Sequence, residues 1–507
     1  MERTSGFRLA TCLLSAVAPK HATPVCYFVL PQHTLRAAST NPSNRRLHTT
    51  PSIAQDVTLT LSSSPVPPAL SPTALAHSGP PPPTTMPPAL SCLPLSQVLR
   101  TYLITSISSS PLLLRTSTTL LRSMLESRNP LTSIDRNPLL RSLLWHTFYR
   151  QFCAGETPAQ VARVNAELHA QGYSGVILEY ALEVLKDAEG AEANEERDVG
   201  VWRRRMLETV AMASPEDFVG LKWSGMGPAA MRRMKEDREP SAAMEEAMHA
   251  LCSAARDRRT SLLPAAEETW SLSGFFNWTM KMQRVYNTAA KGGECVVYST
   301  YQAYLKQTPE TISRHLALAR KADFTLGLKL VRGAYLGSEE RALIHPSIEA
   351  THAAYDGIMA SLIRREPNTR ITTPADSWPK VSVVLATHNA ISVQLAQKLR
   401  QQQLSRGEPL TQLSFAQLQG MADEVSCTLI AAAKAAEEAA GKGQSSGPQA
   451  VRERVYKCTT WGSMGECLNY LLRRAAENKD AAGRTQETRR AMRAEIGRRV
   501  RGVVGLA

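Results

Sequence analysis

At 507 residues, the chain is long enough for more than one domain, although an α/β barrel can form a single domain of about 250 residues. Its composition, 43% hydrophobic and 21% charged, is typical of a globular protein with a large core. No uninterrupted apolar stretch approaches the roughly 20 residues that span a bilayer, which argues against an integral membrane protein. The formal net charge of +14 is compatible with nucleic-acid binding, but the sequence lacks the known recognition motifs. No nucleic-acid partner is therefore expected.

The N-terminal 55 residues have the composition of a mitochondrial transit peptide. They hold six Lys or Arg against one acid, Glu2, and are rich in Ser, Thr and Ala. The stretch "NRRLHTT" (44–50) resembles a matrix-processing site, and a merely disordered basic terminus is the alternative. Residues 57–99 carry no Asp, Glu, Lys or Arg and are rich in Pro and Ser, so 56–99 is predicted to be a disordered linker.

Apolar patterns of helical period then predict an N-terminal helical region over residues 100–170. From residue 171 to 480, short β-rich runs alternate with helical stretches. Eight strands are predicted, at 174–178, 218–223, 262–267, 296–301, 325–331, 381–387, 413–418 and 454–457. This alternation predicts the α/β fold class and a (β/α)8 TIM-like barrel with additional N-terminal helices. Residues 481–507 are predicted to form a basic C-terminal helix or tail.

Polar residues follow or end each predicted strand, where a barrel of this kind places its active site. The set is Glu179, Tyr180, Lys222, Glu267, Tyr301, Gln302, Arg332, Tyr335, His388, Asn389, Gln417 and Lys457. For any one of them a structural role is at least as probable, but eight strands with polar ends favour a shared site. The stretch "GMGPAA" (225–230) lacks the third glycine of a dinucleotide fingerprint, so a Rossmann domain is not predicted.

The cysteines predict a reducing compartment. All nine are scattered, without a CxxC pair or the clustering of a disulfide framework. Neither they nor the eleven histidines have the spacing of zinc ligands, and no metal site is expected.

Five motifs in order resemble the FAD-dependent, mitochondrial, monofunctional proline dehydrogenase family. They are "YQAYL" (301–305), "KLVRGAYL" (329–336), "ATHN" (386–389), "QLQGMAD" (417–423) and "YLLRRAAEN" (470–478). The resemblance implies oxidation of L-proline to Δ1-pyrroline-5-carboxylate by hydride transfer to N5 of FAD. It also implies a membrane quinone as electron acceptor, and a location in the mitochondrial matrix with peripheral association with the inner membrane, to which the basic C-terminal helix could contribute.

The resemblance also assigns residues to roles. Arg473 and Arg474 would bind the substrate carboxylate, because guanidinium groups match carboxylates in a bidentate geometry, and Glu477 would brace them. Tyr335, Tyr470 and Cys458 would line the substrate pocket, and Lys222 would lie near the substrate nitrogen in a catalytic role. Arg332, also catalytic, would lie beside flavin N5, and the remaining cofactor contacts would be Gln302, Gly333, Ala334, Thr387, His388 and Asn389.

Several positions depart from the family pattern. Ala265, Ala266 and Glu267 stand where Asp-Ala-Glu is expected, Cys458 replaces a substrate-stacking tyrosine, and Gln419 replaces a frequent tyrosine. Glu267 is expected to give structural support in place of the missing acid. These departures leave open a flavin enzyme for another cyclic imino acid such as hydroxyproline, or an inactive flavin-binding homologue. A Schiff-base enzyme using Lys222 is a third alternative.

Overall fold

The computed structural model describes residues 88–181, 194–288, 294–441, 450–477 and 482–504. The predicted transit peptide, 1–55, and residues 56–87 of the predicted linker lie outside this part of the chain. Within it, no helix is both long enough and apolar enough to cross a membrane.

The N-terminal region begins earlier than predicted. A 3-10 helix at Ala89–Cys92 precedes α1 (Leu95–Ser108), and Leu90, Leu93 and Val98 are buried, so residues 88–99 are not a linker. The segment continues as α2 (Pro111–Glu126), α3 (Pro138–Leu144), a π-helical turn (Trp145–Tyr149) and α4 (Arg150–Phe152). The chain then enters the sheet at β1 (Cys153–Gly155), inside a stretch predicted to be helical, because this short segment pairs in parallel with a barrel strand.

The rest of the described chain alternates strands and helices, as predicted. The strands are β2 (Gly175–Tyr180), β3 (Phe218–Leu221), β4 (Ser261–Pro264), β5 (Ser299–Gln302), β6 (Leu326–Val331), β7 (Val381–Ala386), β8 (Gln412–Leu418) and β9 (Arg454–Trp461). The helices are α5 (Pro158–Gln171), α6 (Glu195–Met212), α7 (Pro228–Lys235), α8 (Ala242–Asp257), α9 (Thr269–Tyr286), α10 (Thr308–Ala322), α11 (Ile348–Arg364), α12 (Ala390–Ser405), α13 (Asp423–Gly441), α14 (Met464–Glu477) and α15 (Ala482–Val503).

The eight strands β2 to β9 form a parallel barrel in the order β4-β3-β2-β9-β8-β7-β6-β5. A single bridge between Leu262 and Val297 closes the remaining gap between β4 and β5. There the Leu262 amide donates to the Val296 carbonyl at 2.7 Å, and the Tyr298 amide donates to the Leu262 carbonyl at 2.9 Å. The predicted (β/α)8 fold is therefore confirmed.

Three residues predicted at the mouth of the barrel point outward instead. Tyr301 donates to or accepts from Nδ1 of His315 on α10 at 2.6 Å, and Gln417 accepts a hydrogen bond from Ser426 on α13 at 2.9 Å. Lys457 pairs with Asp423 at the start of α13, with Nζ 2.8 Å from Oδ1. Because successive side chains of a strand alternate between its two faces, each of these residues belongs to the layer between sheet and helices.

The Lys457–Asp423 pair is almost completely buried, with side-chain exposures of 2% and 0%. Lys457 Nζ also donates to the Met421 carbonyl at 2.8 Å, which satisfies more of its hydrogen-bonding capacity. Removing one partner of such a pair would leave a buried charge and cost about 3–5 kcal/mol. The pair fixes the entry of the chain from β8 into α13.

The C-terminal helix α15 completes the packing around the N-terminal segment. Met492 of α15 is buried together with Leu90, Leu93, Val98 and Cys427. Arg499 also donates to the Leu93 carbonyl at 2.8 Å. The N-terminal and C-terminal segments are thus held against each other beside α13.

Candidate active site

A group of polar side chains converges at the carboxyl ends of the barrel strands. The members that the strands supply are Glu179 at the end of β2, Lys222 after β3, Glu267 after β4, Gln302 at the end of β5 and Tyr335 after β6. Strand alternation explains their direction, because Glu179 lies two residues after Ile177 and Gln302 four residues after Tyr298, and both of those side chains belong to the cluster inside the barrel. Five of the predicted strand ends therefore do meet in one place.

Tyr335 stands at the centre of the charged residues. Its hydroxyl donates to the Ala266 carbonyl at 2.9 Å, and Lys222 Nζ lies 5.7 Å from the centre of its ring. Burial raises the pKa of Tyr335 to about 12, although Lys222 and Arg474 act in the opposite direction and Glu267 adds to the rise. Tyr335 is therefore a neutral phenol at physiological pH, surrounded by two cations and a carboxylate.

Gln302 connects three strand ends through its carboxamide. Its Nε2 donates to the Glu267 carbonyl at 3.1 Å, and its Oε1 accepts from the Ala334 amide at 3.1 Å. The side chain is 2% exposed. A carboxamide has two donor hydrogens and two acceptor lone pairs, so these bonds use half of its capacity.

Helix α14 brings Tyr470 and Arg474 to the same place. The Tyr470 hydroxyl lies 3.5 Å from Oε2 of Glu179, and the Arg474 guanidinium carbon lies 5.3 Å from the centre of the Tyr470 ring. Cys458 of β9 faces Glu179 inside the barrel, where burial, followed by the nearby carboxylate, raises its thiol pKa. Arg473 is half-buried on the same helix, and the side chain of Glu477 lies outside the described part of the structure.

A capping box fixes where α14 begins. The Ser463 hydroxyl accepts from the Glu466 amide at 3.3 Å, and the Glu466 carboxylate accepts from the Ser463 amide at 2.8 Å. The Tyr180 hydroxyl donates to the other oxygen of Glu466 at 3.0 Å, which ties the helix to the end of β2. This arrangement satisfies amides at the helix start and sets the position of the arginines two turns later.

Arg332 lies at the end of β6 but contacts α11 and α12. Three neutral groups accept its hydrogen bonds: Nδ1 of His352 at 2.9 Å, Oγ1 of Thr387 at 2.6 Å and Oγ of Ser392 at 2.8 Å. Its guanidinium carbon also lies 4.3 Å from the centre of the Tyr355 ring. Because Nδ1 of His352 accepts, that imidazole is neutral with its proton on Nε2. The guanidinium is held rigidly at the rim of the barrel.

The other predicted cofactor residues surround Arg332. Gly333 has a φ of +149°, and a Cβ there would meet the ring of Tyr304, so the glycine makes room for Tyr304 rather than only for a ligand. Asn389 caps α12, its Oδ1 accepting from the Ser392 amide at 3.0 Å. His388 accepts from the Leu418 amide through Nε2 at 3.1 Å, while Ala334 remains exposed.

The family model for proline dehydrogenase matches residues 162–487. The chain belongs to the proline dehydrogenase family. The prediction of an enzyme of this class is therefore confirmed.

Several named dehydrogenases are similar to this chain in sequence, which agrees with its family membership. Proline dehydrogenase 1, mitochondrial, of Arabidopsis thaliana is 26% identical over 429 residues, which cover 74% of this chain and 78% of the relative. The protein of the same name from Homo sapiens is 26% identical over 371 residues, covering 70% and 56%. Hydroxyproline dehydrogenase of Bos taurus is 30% identical over 302 residues, covering 59% and 60%.

A solved proline utilization A from Bdellovibrio bacteriovorus, inactivated by N-propargylglycine, supports the fold. Its TM-score is 0.52 at 14% identity, and the match covers 72% of this chain and 37% of the longer one. At this identity the similarity bears on the barrel and its surrounding helices alone.

The sequence motifs do not include the residues that hold Arg332 in place beside the candidate site. They are His352, Tyr355, Asp356 and Ser392, and Ser392 donates to Asp356 at 2.6 Å. A signal existed, because His352, Tyr355 and Asp356 recur at the i, i+3, i+4 spacing of one helix face just after the β6 motif. Glu179 is one of the predicted strand ends, and the motifs give it no role.

Glu466→Ala tests whether the capping box positions the arginines of α14. We expect the free energy of unfolding to fall by about 1 kcal/mol, because the hydrogen bond from the Ser463 amide to the Glu466 carboxylate and the Tyr180 contact are lost. The KM for proline should rise as the helix start frays. Chemical unfolding and steady-state kinetics measure the two effects. Glu466→Gln, which can keep the reciprocal cap, is the matched control, and an alanine variant indistinguishable from it would contradict the role.

Proposed function

We propose that this chain oxidises L-proline to Δ1-pyrroline-5-carboxylate with FAD as its cofactor. The observation that carries the proposal is the meeting of Arg474, Lys222, Glu267 and Tyr335 at the carboxyl end of the barrel. An imino acid carries a carboxylate and an amine close together, so its site needs a fixed cation and a polar group for the nitrogen. Family membership supports the same substrate class.

The carboxylate is proposed to bind between Arg473 and Arg474. Arg474 lies over Tyr470, whose hydroxyl is near Glu179, so its guanidinium is oriented before substrate arrives. A preorganised guanidinium loses less side-chain freedom when it binds a carboxylate in a bidentate geometry. We assign Tyr335, Tyr470 and Cys458 to the walls of this pocket.

Lys222 is proposed to act on the substrate nitrogen. Its position beside Tyr335 places a positive charge next to the proposed carboxylate site. A nearby cation disfavours the ammonium form of an amine, and the neutral amine is the form whose lone pair assists loss of hydride from the ring carbon. Glu267, which is buried, offsets part of this positive charge and thereby supports the cluster.

The residues around Arg332 fit a flavin. The donor set consists of a fixed guanidinium, the Gln302 carboxamide, and Thr387, His388 and Asn389 at the start of α12, with the exposed backbone of Gly333 and Ala334 beside them. When bound, FAD supplies the acceptor for the hydride. A rigid positive charge at this rim suits a ring that gains negative charge, and the other groups would hold the cofactor by hydrogen bonds.

Hydroxyproline is a second candidate substrate. The 30% identity to the bovine hydroxyproline dehydrogenase favours it, and so does Cys458, which is smaller than the tyrosine expected at that position. A smaller wall residue leaves room for an added hydroxyl. Comparison of kcat/KM for the two imino acids decides between them.

The proposed electron acceptor is a membrane quinone, and the proposed location is the mitochondrial matrix beside the inner membrane. The basic composition of residues 1–55 and the mitochondrial relatives support the location. We propose helix α2, and not α15, as the membrane contact, because Glu495 pairs with Arg498 and Arg499 of α15 and Met492 of that helix is buried. Helix α2 is the better surface: it has no buried residue and exposes Leu112 and Leu120 beside basic side chains.

Arg474→Met tests the carboxylate site. We expect the KM for proline to rise about 10- to 100-fold, because a charge-assisted hydrogen bond worth about 1.5–3 kcal/mol is lost, while FAD absorbance of the purified protein stays unchanged. Arg473→Met should also raise the KM for proline. Steady-state kinetics measures the effect. The matched control is Arg163→Met, an exposed arginine of α5. Normal KM in both site variants would refute the assignment.

The double variant Leu112→Ser, Leu120→Ser tests the membrane surface. Wild type should co-sediment with vesicles of acidic phospholipid, and the variant should bind severalfold less, because the exposed leucines and nearby arginines act together. Val503→Ser, which changes an exposed residue at the end of α15, is the control. Equal binding of the double variant and wild type would contradict the role of α2.

A further inference from the structure

Two cysteines that are far apart in the sequence touch in the structure. Sγ of Cys92, at the end of the first 3-10 helix, lies 3.3 Å from Sγ of Cys427 on α13, although 335 positions separate them. Both are free thiols. A disulfide has an S–S distance of about 2.05 Å, so a side-chain movement of roughly 1.3 Å would bring the sulfurs to bonding distance. Sequence spacing gave no sign of this pair.

The two thiols differ in exposure and acidity. Cys92 is half-buried, whereas Cys427 is 0% exposed. The hydrogen bond between the two thiols lowers the pKa of Cys92, and Lys434 also lowers it, whereas burial and Asp423 raise it. The same hydrogen bond and burial raise the pKa of Cys427. Cys92 is thus the thiol that solvent reaches, and Cys427 is buried in contact with it.

We propose that Cys92 and Cys427 are a modification site that hydrogen peroxide converts into a reversible intramolecular disulfide. An accessible thiolate next to a second thiol is the arrangement that reacts selectively with peroxide. The proposal does not depend on the reaction at the barrel mouth. It requires only the contact between the 3-10 helix and α13.

The reaction takes two balanced steps. The Cys92 thiolate attacks one peroxide oxygen, the O–O bond breaks, and the hydroxide that leaves takes a proton to become water. The resulting sulfenic acid on Cys92 is attacked by the sulfur of Cys427, which gives up its proton. The S–O bond breaks and a second water forms. Two thiols are oxidised, and one peroxide is reduced to two waters.

The cross-link would tie the N-terminal segment to the barrel. Leu90 and Leu93 flank Cys92 and are buried against Met492 of α15, and Arg499 of α15 donates to both of their carbonyls. A covalent bond at this point joins the start of the described chain, the last helix and α13. Because the closed loop is long, the disulfide should restrict the unfolded chain strongly and raise the urea midpoint of unfolding.

A second cysteine pair provides an internal control. Cys153 and Cys467 also contact each other, but their side chains are 1% and 0% exposed. Burial raises the pKa of Cys153, which makes its thiol a weak nucleophile, and peroxide reaches neither buried sulfur well. The comparison separates selective chemistry at Cys92 from general oxidation of neighbouring thiols.

The test is peptide mapping of the full-length protein after brief exposure to dilute hydrogen peroxide. Free thiols are blocked in denaturant, and trypsin then releases Cys92 within residues 47–100 and Cys427 within 407–434, each peptide holding one cysteine. We expect a cross-linked pair of these peptides, lost on reduction and at least about tenfold more abundant than a Cys153–Cys467 product. Absence of the Cys92–Cys427 product in folded protein, or equal yields of the two pairs, would overturn the proposal.

Two variants test the order of the steps. Cys427→Ser should leave a sulfenic acid on Cys92 that dimedone traps, because the resolving thiol is gone. Cys92→Ser should abolish the cross-link and leave Cys427 unmodified, since Cys427 is buried. Dimedone adducts on Cys427 instead of Cys92 would contradict the assigned roles. The wild-type experiment stands without them, so a variant that folds poorly does not remove the test.

Discussion

The backbone hydrogen bonds of Leu262 to Val296 and Tyr298 close the parallel sheet, and the position of each proposed site residue depends on that closure. A closed parallel barrel brings the carboxyl ends of all its strands to one rim. Lys222, Glu267, Gln302 and Tyr335 come from four successive strand ends, and the gap between β4 and β5 falls among them. An open edge at this point would separate Lys222 and Glu267 from Gln302. The Gln302 carboxamide adds a side-chain link across the same gap.

Charge balance at the rim follows from this geometry. Lys222 and Arg474 are the cations around Tyr335, and Glu267 and Glu179 are the nearby carboxylates. The aspartate that the family pattern has at the third predicted strand is Ala265 here, and Ala265 lies in the same recess as Glu179 and Lys222. Glu179 and Glu267 are thus the acids placed to compensate for the missing one. A zwitterionic imino acid would complete the balance of charge, with its carboxylate oriented toward Arg473 and Arg474.

Sequence periodicity identified the barrel because eight β-rich runs alternated with helices of matching length. It also predicted that Gln302, Lys222 and Tyr335 lie at the mouth of the barrel. Their side chains lie on, or follow, the inward face of their strands. It misplaced Tyr301, Gln417 and Lys457, since a shift of one residue moves a strand side chain to the opposite face. The strand β9 continues to Trp461, four residues beyond the predicted end. The spacing of His352, Tyr355 and Asp356 marks one face of α11, but it does not show that Arg332 packs against that face. The meeting of Cys92 with Cys427 likewise depends on packing between distant segments.

The central claim is that a cyclic imino acid, L-proline, reduces a flavin bound at this rim. An anaerobic titration of the purified flavoprotein with L-proline, followed by flavin absorbance, tests it most directly. We expect loss of the oxidised flavin absorbance with L-proline, at lower concentration than with hydroxyproline. Retained FAD whose absorbance is unchanged by L-proline would contradict it.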